Sequence, residues 1–205
     1  MSVMVEQPTT YFRQWLADRS DLLRKLEAEA ADQDIPIVGP VVGRLLYLLA
    51  RISKARQILE LGTATGYSAI FMGEACRQNQ GRLVTFEIDP GMARRAKANI
   101  SQAGLNEVIE VRCQDARDAL TVYEHPVDML FMDIEKQDYV KLLPDLAEIV
   151  KPNGLLVADN TGFKDAHRFN LAVHESSAWD SVNLWAFFPG HSPEHDGICI
   201  AMKAH

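Results

Sequence analysis

The chain has 205 residues, and 21 Lys and Arg against 28 Asp and Glu give a formal charge of 21 − 28 = −7. With 47% apolar and 24% charged residues it has the balance of a globular protein, long enough for one domain and a sizeable core. The acidic surplus argues against nucleic acid or an anionic membrane as partner, since both need a basic face, and no apolar run approaches the roughly 18 residues of a membrane span.

Residues 1–10 lack the basic-then-apolar pattern of a signal peptide. Cys76, Cys113 and Cys199 are odd in number and widely spaced, with no CxxC pair, so they read as buried small hydrophobes of a reducing, cytoplasmic compartment. Phe12, Trp15, Leu16, Leu22, Leu23 and Leu26 recur at helical spacing and predict one amphipathic helix over 9–32, capped by Thr9 or Thr10. Residues 35–40 break it, and Val41, Val42, Leu45, Leu46, Leu49 and Ile52 mark a second helix. Residues 1–53 are thus leading helices, and 54–205 complete the same single domain.

From residue 57 the rhythm changes. Apolar runs at 57–61, 83–86, 108–113, 129–132 and 155–158 alternate with helical stretches at about 67–77, 91–103, 117–122 and 138–150. Strands apolar on both faces, alternating with helices, predict a parallel sheet covered on both sides. A helix near 164–177 follows, then strands at 182–188 and 198–203 with no helix between them, which predicts an antiparallel hairpin. The fold class is α/β: a seven-stranded, mostly parallel sheet closed by an antiparallel C-terminal hairpin, with helices on both faces. Trp15, Trp179, Trp185, Phe187 and Phe188 read as core. Trp185 and Phe187 share one strand face, which leaves an acceptor platform or a dimer contact as their alternative.

Each of the five parallel strands ends in or just before an acid: Glu60, Glu87, Asp115, Asp133 and Asp159. Open α/β sheets bind ligands beyond the carboxyl ends of their strands, so these acids are expected in one cleft. Carboxylates gathered there repel unless hydrogen-bond donors or cations join them. The ligand should therefore carry hydroxyl, ammonium or sulfonium groups, or a metal ion. The first loop, residues 60–68, holds Gly62 and Gly66 in GxxxG spacing. Ala64 stands where a GxGxxG fingerprint has its second glycine, and no GK[ST] follows. With Glu87 about 20 residues on, placed for ribose hydroxyls, the loop suits an adenosyl cofactor better than NAD.

Asp133, Asp159 and Asn160 offer three hard oxygen ligands at adjacent strand ends, a set suited to Mg²⁺, Mn²⁺ or Ca²⁺ with positions left for substrate. Lys136 is near enough in sequence to act as a base. His191 and His195, with Asp196, read as a polar loop, with a place in the acceptor pocket as the alternative. His167 and His174 read as surface residues.

Together Glu60-Leu61-Gly62-x-x-x-Gly66-Tyr67-Ser68, Glu87, Asp115-Ala116, Asp133-x-Glu135-Lys136-x-x-Tyr139 and Asp159-Asn160 resemble the cation-dependent O-methyltransferases of the catechol and caffeoyl-CoA type. The resemblance runs from about Val41 to the end of the chain. It implies the Rossmann-like fold of S-adenosylmethionine methyltransferases, with that compound as methyl donor. It further implies that Glu60, Gly62, Thr63, Gly66 and Ser68 hold the methionyl part, Glu87 the ribose, and Asp115 with Ala116 the adenine, with Asp133 also among the cofactor-binding residues. Asp133, Asp159 and Asn160 would bind Mg²⁺ or a similar ion, Lys136 would take the phenolic proton, and the enzyme would be a homodimer.

Departures from the family lie at 38–43, at a short 161–168 segment, and at a long hairpin connection, 190–197. They bear on the acceptor and point away from a large acyl-CoA. The expected function is therefore methyl transfer to a hydroxyl of a small catechol-like acceptor. The alternatives are another acceptor class or a metal-independent methyltransferase, then an NAD-dependent oxidoreductase or a non-catalytic adenosyl-binding module.

Overall fold

The computed structural model describes residues 3–121 and 123–204; Val122, the expected end of the helix after the third strand, lies outside them. The elements are α1 (Pro8–Arg13), α2 (Asp21–Gln33), α3 (Gly39–Ile52), β1 (Gln57–Leu61), α4 (Tyr67–Asn79), β2 (Arg82–Glu87), α5 (Pro90–Gln102) and β3 (Ile109–Cys113). Then follow α6 (Ala116–Leu120), β4 (Val127–Met132), α7 (Tyr139–Ile149), β5 (Val150–Ala158), α8 (His167–Glu175), β6 (Trp179–Phe187) and β7 (His195–Lys203), with 3₁₀ turns at Lys136–Asp138 and Lys164–Ala166.

The sheet order is β3-β2-β1-β4-β5-β7-β6. β1 lies between β2 and β4, with Leu59 opposite Val84 on one side and Leu130 on the other. β7 runs antiparallel to both β5 and β6. Chain order reverses between β1 and β4, and a crevice opens there at the carboxyl ends.

Alternation along the strands builds two cores. Ile58, Leu83, Phe131 and Val157 face α2, α3, α4 and α5. Leu59, Leu61, Leu130 and Leu156 face α6, α7 and α8, where Tyr139, Leu146, Phe169 and Val173 are buried. Sheets buried on both faces need strands apolar at successive positions, which is why these five runs stand out in the sequence.

The leading segment differs from expectation: the single helix over 9–32 is two helices, with a break at residues 14–20. Ser20 is extended and its Oγ accepts a hydrogen bond from the Leu23 N–H at 3.3 Å, so a new helix starts there. Arg19 turns its guanidinium back onto Glu27, with bonds of 2.7 and 3.0 Å. α1 buries no residue. Trp15 is accordingly 64% exposed, and Trp185 on the outer strand β6 is 68% exposed, against the expectation of core; Trp179 and Phe188 are buried as expected.

Candidate active site

The loop after β1 makes the closest approach in the crevice. Gly62 has φ +96°, and a Cβ there would sit 2.0 Å from the Asp133 carbonyl oxygen, so only glycine lets β1 and β4 end side by side. Glu60 points beneath this loop and is fully buried. Its Oε1 accepts a hydrogen bond of 2.5 Å from the Ser68 hydroxyl, while Oε2 has no partner. Burial, opposed chiefly by the bond from Ser68, pushes the Glu60 carboxyl up to about 8. A cationic ligand group reaching Oε2 would restore its charge.

At the end of β2, Glu87 accepts the Ala64 N–H at 2.7 Å and the Asp89 N–H at 2.9 Å, which fixes its carboxylate at the rim of the crevice. At the end of β3, Asp115 caps α6 through the Arg117 N–H at 2.9 Å. Its carboxylate also accepts from the Arg117 guanidinium, and the side-chain bond from Arg117 holds its pKa below the ordinary carboxylate value. Arg117 reaches on to the buried Asp138 at 3.3 Å.

At the end of β4, Lys136 Nζ donates to Asp133 Oδ1 at 3.0 Å. Burial and the nearby Asp159 charge raise the Asp133 pKa, opposed by Lys136. The Tyr139 hydroxyl lies 3.1 Å from the Met132 carbonyl and 3.2 Å from that of Asp159, bracing the ends of β4 and β5 against each other. That is the structural content of the Asp133-x-x-Lys136-x-x-Tyr139 spacing.

A cleft of about 500 Å³ runs across these ends; Gly62, Glu87, Asp115, Ala116, Asp133 and Lys136 all line it. An adjoining recess of about 100 Å³ takes in Thr63 and Ser68 and shares Gly62, Glu87 and Asp133. Of the expected cofactor residues, Glu60 and Gly66 lie outside the lining, Glu60 as the buried partner of Ser68 and Gly66 as the cap of α4. Sequence reasoning missed Arg117, and also Ile88 and Met92, apolar walls of the cleft. Ile35 and Pro36, read only as a helix break, line it as well. A hollow of about 650 Å³ over β2 and β3, lined by Arg82, Lys97, Glu107 and Glu110, lies away from these strand ends.

The third group of expected residues is arranged otherwise. Asp159 turns both carboxylate oxygens onto His191 Nε2, at 2.9 and 3.0 Å, and the side chains of both residues are almost fully buried. Asn160, in the left-handed region at φ +49°, donates its amide to Asp196 Oδ2 at 2.6 Å. Asp133 is turned to Lys136. Each of the three expected ligands is thus engaged with a protein partner, and no group of three or more His, Cys, Asp or Glu suited to a metal ion occurs among the described residues. By chemistry, two carboxylates and an amide oxygen are a hard-oxygen donor set of the kind a divalent cation takes. His191, expected in a polar loop, is 4% exposed and part of this centre.

The sheet order, the crevice at β1 and β4 and the acidic strand ends define a Rossmann-like methyltransferase fold. The model of the O-methyltransferase family matches residues 14–169. A catechol O-methyltransferase of Niastella koreensis is 32% identical over 212 residues, which span 94% of this chain and 94% of that protein. A catechol O-methyltransferase of Mycobacterium tuberculosis is 33% identical over 65% of this chain and 60% of its own length. Among solved structures, an O-methyltransferase of Bacillus cereus in complex with SAH superposes with a TM-score of 0.84 at 26% identity, covering 96% of both chains. An O-methyltransferase of Streptomyces achromogenes involved in tomaymycin synthesis, solved with SAM, gives 0.85 at 27% identity, covering 98% of this chain and 100% of that one. The chain belongs to the O-methyltransferase family and is an O-methyltransferase.

Proposed function

We propose that this enzyme uses S-adenosylmethionine to methylate a hydroxyl of a small, catechol-like acceptor, with Lys136 as the base. The observation that carries the cofactor is the unpartnered, buried Oε2 of Glu60 beneath an acid-lined cleft, an arrangement that suits an ammonium and a sulfonium. The two structures solved with SAM and SAH support the same ligand. Glu60, Gly62, Thr63, Gly66 and Ser68 take the methionyl part, with Glu60 and Gly66 acting from behind the lining. Glu87 takes the ribose hydroxyls, and Asp115 and Ala116 the adenine. Asp133 borders the methyl-transfer end.

When bound, S-adenosylmethionine supplies a sulfonium methyl group that an acceptor oxygen takes, leaving a thioether. A phenolic hydroxyl, with a pKa near 10, is little ionised at neutral pH and needs a base. Lys136 takes that proton in its neutral amine form, and Asp133 Oδ1, its partner at 3.0 Å, holds the ammonium so formed. Holding oxygen and methyl in line supplies up to about 7–11 kcal/mol of the acceleration.

The acceptor reading rests on the two catechol O-methyltransferases among the relatives. Asp133, Asp159 and Asn160 would hold the divalent ion implied by the resemblance, which would favour the ionised form of the acceptor hydroxyl; without it Asp159 and Asn160 bond to His191 and Asp196. The same proposal takes the enzyme as a cytoplasmic homodimer. Phe12, Trp15 and Trp185 remain exposed for a second copy, and Cys76, Cys113 and Cys199 are all free thiols.

Calorimetric titration with S-adenosylmethionine and with NAD, followed by a methyl-transfer assay on catechol, tests the reading. Heat from the first alone and a methylated catechol are expected. Heat from NAD alone would overturn it.

A further inference from the structure

The cofactor, in the reading above, takes the cleft and its recess, so the body of the acceptor needs another place. A hollow of about 320 Å³ between the leading helices and the β6–β7 connection adjoins both. Ile35 lines the hollow and the cleft, and Ile37 lines the hollow and the recess, so residues 35–37 are a shared wall. The larger hollow over β2 and β3 shares no residue with the cleft. An acceptor whose hydroxyl lies against Asp133, in the recess, reaches this space past Ile37.

Leu16, Ala30, Ile37, Pro40 and Pro189 give the hollow an apolar lining, and two guanidiniums, Arg13 and Arg19, are set into it. Arg19 is tethered through all its nitrogens: Nε and one terminal nitrogen donate to Glu27 at 2.7 and 3.0 Å, and the other to the Ala17 carbonyl at 3.1 Å. The Tyr67 hydroxyl donates to the same Glu27 at 2.6 Å, and Tyr67 lines the recess, so the guanidinium is fixed from the cofactor side. An arginine has five N–H groups, and these bonds use only part of them. Arg13 gives both terminal nitrogens to Glu194 and its Nε to no protein acceptor among the described residues. The charges are already balanced. Glu27 neutralises Arg19, Glu194 neutralises Arg13, and Asp34 on the same wall pairs with no cation among the described residues. An entering carboxylate would meet three acids as well as two guanidiniums. A neutral oxygen meets the spare N–H groups alone, in apolar surroundings where such a bond counts most.

We propose that this hollow is a second subsite for the acceptor and that Arg19 determines its specificity. It takes a catechol extended by a short apolar chain that ends in an uncharged carbonyl, a ketone or an ester, in preference to a carboxylate. The proposal rests on the O-methyl transfer reading above and names the acceptor class of that site. It also gives the long 190–197 connection a purpose, because Gly190 and Ser192 close one side of the hollow.

The test uses the full chain, saturated with S-adenosylmethionine, and three catechols that carry chains of equal length at the same ring position. One chain ends in a methyl ester, one in the free carboxylate, and one is plain alkyl. The carbonyl is kept two carbons from the ring so that the hydroxyl pKa barely changes. The readout is the ratio, within each protein, of kcat/KM for the ester to kcat/KM for the alkyl compound. The unmodified chain is expected to favour the ester about 10-fold, through KM rather than kcat, with the carboxylate below both. Arg19→Met combined with Glu27→Gln removes the guanidinium and keeps the charge balance, and should bring the ratio to about one. Leu16→Trp, which fills the hollow, should raise the KM of both uncharged chains relative to that of plain catechol.

A ratio near one in the unmodified chain overturns the proposal, and so does a carboxylate that outruns the ester. A ratio that survives in the folded double variant also overturns it, since the carbonyl would then be read elsewhere. The measurements on the unmodified chain decide by themselves if the variants do not fold. Bound S-adenosylmethionine with no catechol methylated would sink the catechol reading and this proposal with it. Methylation of all three at equal efficiency would sink only this one.

Discussion

Glu60 is wholly buried under the β1–α4 loop with one oxygen unpartnered, so its charge is costly until a cation arrives. The sign of the pH effect follows. Below its ordinary value of 4.5 the carboxyl is protonated in both folded and unfolded chains. Between 4.5 and about 8 the unfolded chain has released the proton and the folded one keeps it, so stability falls as pH rises through that window. Glu60→Gln removes this loss. In the ligand-free protein its melting temperature should match the parent's near pH 4.5 and exceed it at pH 8. A gap independent of pH would refute the assignment. The same variant should bind S-adenosylmethionine about 10–100-fold more weakly, the worth of a hydrogen bond to a charged group. Lys136 should behave differently. Its removal in Lys136→Ala should lower turnover by about 10²–10⁴-fold and leave cofactor affinity nearly unchanged, which single-turnover kinetics and titration separate. Unaltered turnover would reject it as the base.

At the scale of elements, the carboxyl ends of the strands were readable because the physics there is local. A strand buried on both faces shows as an apolar run, and an acid or glycine marks where it meets the cleft. Gly62 is the sharpest instance, with its φ of +96° and the Asp133 carbonyl against it. Gly62→Ala should force β1 and β4 apart, costing about 3 kcal/mol and lowering the melting temperature by roughly 5–10 °C with loss of cofactor binding. Gly104→Ala, also at positive φ but with nothing within 4 Å of the added carbon, is the control for backbone strain alone. Equal effects would show that close approach at Gly62 does not matter. What the sequence left hidden depends on distant partners. His191 and Asp159 are 32 residues apart, and no periodicity announces their pairing. The break before Ser20 depends on a single cap and on Arg19 folding back to Glu27, while the apolar spacing runs on through it. Trp15 kept that spacing and was still left outside, in the break that follows α1, a helix that itself buries no residue.

For the molecule as a whole, one sheet with two cores carries the cofactor cleft on its parallel half, and the short α1 stands apart from both. It is fastened to the hairpin connection by the Arg13 and Glu194 ion pair and by Arg13 over the Phe187 ring at 5.2 Å. Glu194 in turn accepts the Gly190 N–H at 2.9 Å, next to His191. Between these parts lies a hollow of about 320 Å³ with Leu16, Arg19, Pro40 and Ser192 in its wall. No residue of α1 lines the cofactor cleft. Removal of residues 1–16 should therefore separate the two substrates. Stability should hardly change, since exposed ion pairs add little and α1 buries nothing, and the melting temperature should stay within about 4 °C. Affinity for S-adenosylmethionine should persist. The KM for the acceptor should rise several-fold, because the hollow loses one wall and the connection carrying His191 loses its outer tether. Titration with the cofactor and steady-state kinetics with a catechol on the shortened chain decide the matter. A parallel loss of cofactor affinity would place α1 in the cofactor site, and an unchanged KM would leave the acceptor to the crevice at β1 and β4 alone.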